Sequence, residues 1–240
     1  MLIQPTKDLK SQLRAMPLFS ALKDAMILSL ADYAVVKSEK KGTILFSPDS
    51  PNDKFYIMQS GWVKLFRETM SGDEAILDVL TAGNFFGEIG LPGTEGMPYG
   101  ALVIDDASII VLPRFLLAEE VMRNSLFGLS VLQNLSRQKS RKDMEIEHRT
   151  VQTAPQRIGC FLLKFCTDRD EPQITLHLPY EKSIIAARLG MTPETFSRAL
   201  NQLKAAANIS VNGSTVTISD LKQLTDYTCS ACSSSFPCEE

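Results

Sequence analysis

At 240 residues, with 44% hydrophobic and 22% charged residues, the chain has the composition of a soluble globular protein long enough for two ordinary domains. Its apolar runs fall well short of the ~18 residues of a membrane span, and the opening MLIQPTKDLKSQLRAM lacks the apolar core and small-residue cleavage site of a secretory signal, so a cytoplasmic protein is expected. A net charge of −3 excludes a chain that coats polyanions over its whole surface, but leaves room for one basic face.

One or two helices are predicted over about 8–34. From Val35 to Leu112 the pattern changes to short runs rich in β-branched and aromatic residues, such as KFYIMQSG, WVKLFRE and ALVIDDASIIVLP, separated by SPDSPND, TMSGDE and TAGN. Turn clusters at this spacing predict an antiparallel sandwich or barrel. Helix resumes near Arg114, and a long helix is predicted from about Ser125 to Thr150. Its stripe of Leu129, Leu132, Leu135, Lys139, Lys142 and Ile146 predicts pairing with a second copy of the same helix, weakened where the lysines interrupt the seam. Positive charge concentrates between Arg137 and Arg169.

After an apolar helix from about Pro155 to Cys166 and a strand ITLHLP, the chain forms a compact unit. A short helix, Lys182 to Leu189, ends at Gly190, which suits a left-handed cap. A second helix starts with Thr192 as N-cap and Pro193 in its first position. Two short helices joined in this way make a helix-turn-helix. ISVNGSTVTI then reads as a hairpin turning at Asn212-Gly213, both residues with positive φ in a type I′ turn. Together these predict a winged helix, and an α+β chain overall.

The first turn of a second helix of this kind enters the major groove of double-stranded DNA, so Thr192, Glu194, Thr195, Ser197 and Arg198 are the candidate DNA-contacting residues. Arginine offers two donors to guanine O6 and N7, glutamate accepts from the cytosine amine, and serine serves either role. The competing explanation of Glu194 and Arg198 is a surface ion pair four residues apart, worth only a few tenths of a kcal/mol. No Ser-His-Asp arrangement, His-Glu-x-x-His motif or phosphate loop is present, so an enzyme is not expected.

On these motifs the chain resembles the Crp/Fnr family of bacterial transcription regulators over about residues 17–224. The stretch from PLFSAL through FGEIGL resembles that family's cyclic-nucleotide-binding-type β-roll, with Gly42, Gly61, Gly72, Gly83, Gly87 and Gly90 where its strands turn. PETFSR resembles the Fnr-type recognition pattern. The resemblance implies a β-roll with flanking helices over 1–123, a dimerisation helix over 124–152, a winged-helix DNA-binding domain over 153–226 and a Cys-rich tail over 227–240. It also implies a homodimer, a TTGAT-like half-site, gating by an effector or a redox or gas signal, and RNA polymerase as a partner. A receptor module with no DNA role is the alternative, and the winged helix argues against it.

Relatives that bind cyclic AMP carry an Arg-Ser pair after the FGE-GL segment; here that stretch is PGTEGMPYGAL. The effector pocket implied by the resemblance is therefore Gly87, Glu88, Tyr99, Gly100 and Ala101, with cyclic AMP argued against because its phosphate loses a charged partner. The effector itself is left unknown. Of the five cysteines, Cys160 and Cys166 read as small buried hydrophobes. Cys229, Cys232 and Cys238 have the spacing that the Fnr branch uses for three ligands of a [4Fe–4S] cluster. A cluster or zinc is one reading of them, with the fourth ligand open among Cys160, Cys166, a carboxylate and His148, and a tail with incidental thiols is the other.

Overall fold

The computed structural model describes residues 6–87, 96–166, 173–178, 181–233, 236 and 238. The chain divides into two compact units, Met1–Ser136 and Arg137–Glu240. Among the described residues no helix is long and apolar enough to cross a membrane.

The first unit opens with α1 (Thr6–Ala15), a 3-10 turn (Pro17–Phe19) and α2 (Asp24–Tyr33). Six strands follow: β1 (Val35–Glu39), β2 (Ile44–Phe46), β3 (Lys54–Glu68), β4 (Glu74–Leu80), β5 (Phe85–Phe86) and β6 (Gly100–Pro113). They form one antiparallel sheet in the order β1-β6-β3-β4, with β2 on β6 and β5 on β3.

The long strands β3 and β6 are buried on both faces, which explains their near-continuous apolar character. Because successive side chains alternate, Phe55, Ile57, Ile110 and Leu112 join a core with Phe19, Leu30 and Phe127. Their neighbours Tyr56, Met58, Ile109 and Val111 join a second core with Phe46, Phe86 and Tyr99. Midway along β3 the register against β6 shifts around Ser60 and Trp62. Gly61 sits in that irregularity at φ +76°, and a Cβ there would lie 2.2 Å from the Asp106 carbonyl oxygen, so no larger residue fits the backbone approach.

Two further helices follow β6: α3 (Arg114–Arg123) and the 27-residue α4 (Ser125–Val151), which runs through the boundary of the two units. The second unit then contains α5 (Ala154–Leu163), β7 (Ile174–His177), α6 (Lys182–Arg188), α7 (Pro193–Ala207), β8 (Ile209–Asn212), β9 (Thr215–Ile218) and α8 (Leu221–Cys229). Strands β7, β9 and β8 make a small antiparallel sheet. Its core is built from Ile158, Phe161 and Leu162 of α5, Phe196, Leu200 and Leu203 of α7, Val216 and Ile218 of β9, and Leu224 of α8. The tail expected as a separate segment from residue 227 is thus helical as far as Cys229, within α8.

The hairpin corrects the sequence expectation by one residue. Val211 pairs with Val216 and Asn212 with Thr215, so the loop is Gly213-Ser214, not Asn212-Gly213. Gly213 has φ +59°, whereas Asn212 is not among the residues of positive φ, which places glycine first in the loop as a type II′ turn requires. Apolar register decides the point: it sets Ile209 against Ile218 and Val211 against Val216, all facing one core.

Candidate nucleic-acid interface and effector site

The helix-turn-helix consists of α6, a turn through Gly190 (φ +66°), and α7. Thr192 caps α7, its hydroxyl accepting from the Thr195 amide at 3.3 Å, and Pro193 fills the first helical position. The inward face of α7 is Phe196, Ala199, Leu200 and Leu203, all buried, at the spacing of one helix stripe. This fixes the opposite face by geometry. Thr192, Glu194, Ser197 and Arg198 are exposed, and Thr195 is half-buried.

The alternative of a surface ion pair finds no support. No salt bridge joins Glu194 to Arg198, and Arg198 makes neither an ion pair nor a hydrogen bond with any described residue. The Glu194 carboxyl is held below its usual range first by its own backbone amide at the helix start, then by the Thr192 hydroxyl, with only a lesser contribution from the charge of Arg198. It therefore presents an ionised acceptor beside an uncommitted guanidinium. Asn201 and Gln202 are exposed one turn further along the same helix. They were not singled out in the sequence, although their i+3 and i+4 spacing from Arg198 would have placed them there.

In the first unit the residues expected at the effector pocket are packed. Tyr99 and Ala101 are buried among Phe46, Tyr56 and Phe86, and Gly100 fits because its missing Cβ would lie 2.7 Å from the Phe66 ring. The Tyr99 hydroxyl accepts from the Gly87 amide at 3.1 Å. Glu88 lies outside the described residues. Residues 96–101 carry no cation, and the Arg67 side chain donates its Nε to the Pro98 carbonyl at 2.5 Å. On the described residues, a cyclic phosphate finds an amide already taken by a phenol and no charged partner from this segment.

The expected seam of α4 is exposed along its length. Leu129, Leu132 and Leu135 are 51%, 63% and 41% accessible and Ile146 is 65% accessible; Leu126, at 65%, extends the stripe one turn towards the N-terminus. Lys139 and Lys142, which interrupt the stripe, form ion pairs within the helix with Asp143 and Glu145. Each lysine is thus neutralised locally.

The tail cysteines do not assemble into a metal centre as they stand: among the described residues no three His, Cys, Asp or Glu side chains are placed to hold an ion. The tail nevertheless folds back on the second unit. Ser233 donates from its amide and hydroxyl to Glu147, and Cys160 Sγ lies 3.4 Å from His148 Nδ1. Burial pushes the Cys160 thiol up to about 12, only partly opposed by Lys164, with Cys238, Cys229 and Cys232 close enough to add to the rise. Cys166 is buried apart from them, and its thiol rises to about 11 for that reason alone.

Comparison with known proteins fits both units. The cyclic nucleotide-binding domain family matches residues 36–124, and the Crp-like helix-turn-helix domain family matches residues 156–227. A crystal structure from Ruegeria pomeroyi, of a protein whose name proposes cyclic nucleotide binding, is 31% identical and superposes with a TM-score of 0.72 over 95% of this chain and 100% of that one. The chain belongs to the Crp/Fnr family. A Crp/Fnr protein is a DNA-binding transcription regulator, and the relatives agree. The global nitrogen regulator of Synechococcus elongatus is 25% identical over 76% of this chain and 85% of its own length. FixK2 of Bradyrhizobium japonicum shares the Crp/Fnr fold, with a TM-score of 0.73 over 83% of this chain and 99% of that one, at 22% identity.

Proposed function

We propose that this protein is a homodimeric regulator, gated by a small molecule or by a redox or gas signal, that reads a TTGAT-like pseudo-palindrome through Glu194, Ser197 and Arg198. One observation carries the reading: the Arg198 guanidinium stands on the exposed face of the first turns of α7 with no partner among the described residues, next to an ionised Glu194. An exposed arginine whose donors are not taken by any described residue can give the bidentate contact to guanine that discriminates bases by about 1–3 kcal/mol. Arg198→Ala is therefore expected to lower affinity for a TTGAT-N4-ATCAA duplex about 10- to 100-fold, while binding to a scrambled duplex, held by phosphates, changes little. Fluorescence anisotropy on the two duplexes at several salt concentrations measures this. Equal loss on both sequences would remove the base-reading role.

The dimer forms through α4, whose exposed leucine stripe pairs with its copy, and the effector acts by changing that pairing and so the spacing of the two recognition helices. RNA polymerase is the partner through which a protein of this kind acts on transcription. The reading argues against cyclic AMP: among the described residues the Tyr99 hydroxyl takes the Gly87 amide, and residues 96–101 offer no cation.

A second reading concerns the tail. Its support is that Cys229, Cys232 and Cys238 all lie near enough to Cys160 to influence its ionisation. Closing these thiols around zinc or a [4Fe–4S] cluster requires the tail to rearrange and the thiols to deprotonate. Anaerobic purification followed by iron, sulfide and zinc analysis tests it. About one zinc, or about four irons with matching sulfide, per chain supports the reading; metal at trace level in both assays leaves the tail a packing element.

A further inference from the structure

The second unit carries a group of cations that the DNA-reading helix does not use. A cleft of about 40 Å³ lies between the C-terminal part of α4, α5 and the end of α6. Glu145 is the one acid among the described residues of its lining, and it is committed to Arg188, Lys164 and Lys142. Two arginines in the lining have no counter-charge among the described residues. Arg149 spends a single donor on the Arg188 carbonyl, at 3.2 Å, and makes no ion pair with a described residue. Arg157 makes neither an ion pair nor a side-chain hydrogen bond with a described residue, and its Nε is buried without a partner.

These two guanidiniums are near enough to oppose each other. Burial, and then the charge of Arg149, both disfavour the charged form of Arg157. Beside them Gln152 is 6% exposed with neither amide atom partnered, and His148 is 9% exposed with Nε2 unpartnered. Buried polar groups in folded proteins are nearly always paired, so this many orphans around one cleft point to a missing ligand. Water could satisfy the amide and the imidazole, but it cannot neutralise two neighbouring cations. The cleft has room for about three or four water-sized groups, comparable to the four oxygens of a tetrahedral anion.

We propose that this cleft binds a phosphate-type oxyanion, clasped by Arg149 and Arg157 and completed by Gln152 and His148. Planar guanidiniums suit that ligand because each offers paired donors matching two oxygens. The site has a direct connection to the helix-turn-helix: Arg149 also holds the Arg188 carbonyl at the end of α6. An oxyanion drawing Arg149 towards Arg157 competes with that bond or aligns it, so occupancy alters how the end of α4 grips α6. The phosphate has two sources, a free phosphate-bearing small molecule or the backbone of bound duplex, and both use the same chemistry.

The test uses the full chain. Calorimetry and thermal unfolding are followed with inorganic phosphate and pyrophosphate against chloride at equal ionic strength. A saturable response to phosphate but not chloride is expected, weakened at least tenfold by Arg157→Gln and kept by Arg198→Ala. Should Arg157→Gln fail to fold, Arg149→Gln and Arg157→Lys carry the same readout, the lysine retaining charge but losing the fork. If the occupant is a duplex phosphate, Arg157→Gln also lowers the slope of log affinity against log salt by about one, and duplex displaces phosphate. Identical responses to phosphate and chloride, together with an unchanged salt slope, overturn the proposal. Because Arg198→Ala separates base reading from anion binding, each can fail without the other.

Discussion

Leu132→Glu is expected to leave the protein monomeric and to weaken binding to the full pseudo-palindrome by at least about 100-fold, with non-specific DNA binding retained. Leu132 is central in the exposed stripe of α4, between Leu129 and Leu135. In a two-fold dimer the substitution acts twice: each copy loses a buried leucine worth about 1.5–3 kcal/mol, and two carboxylates are set close together across the seam. Once the helices separate, each recognition helix binds its half-site alone, and the gain from linking two half-sites, about 10² to 10⁴, disappears. Sedimentation gives the mass and anisotropy gives the affinity. The leucine is solvent-exposed within its own chain, so circular dichroism and the melting profile of the variant should match the parent. A variant that remains dimeric would mean that α4 does not form the interface.

Glu145→Gln is expected to destabilise the second unit by about 3–5 kcal/mol, the usual cost of removing one partner from a buried ion pair. Arg188 is only 8% exposed, and its guanidinium is held by Glu145, which also receives Lys164 at 3.2 Å. Burial alone would raise the pKa of this carboxyl. The charge and hydrogen bond of Arg188, with Lys164 and Lys142, outweigh it and bring the value down to about 2. The folded pKa is thus depressed below the ordinary 4.5. The stabilisation is complete above that ordinary value and is lost as pH falls from there towards about 2. Urea unfolding between pH 3 and 7 should show this acid limb in the parent and a flatter one in Glu145→Gln. Coincident curves would show that the pair contributes nothing to folding. Arg188 closes α6 directly before the turn of the helix-turn-helix, so the same variant should also weaken specific DNA binding.

Much of the candidate DNA-reading site was legible because it is local. An N-cap threonine, a proline in the first position and a stripe of Phe196, Ala199, Leu200 and Leu203 define one helix and its buried side, and the opposite side follows from 3.6 residues per turn. The α4 stripe was legible for the same reason. The wing turn was misplaced by one residue because Asn-Gly is the stronger local hairpin signal. In the structure, the pairing of Ile209 with Ile218 outweighs it, a choice made by the core and not by the turn.

Other features depend on residues distant in sequence. Nothing near Tyr99 indicates that its hydroxyl takes the Gly87 amide, twelve positions away. The eight Lys and Arg between 137 and 169 read as one basic stretch. Folding divides them: Lys164 and Lys142 share Glu145 with Arg188, while Arg149 and Arg157 have no acid among the described residues. By itself the sequence determined the helix-turn-helix, its exposed residues and the apolar stripe of α4, since helical periodicity and capping act within a few residues. Only the tertiary structure decided which cations are neutralised and which thiols and orphaned polar groups gather, because Coulomb and desolvation energies depend on distances in space that residue spacing along the chain does not encode.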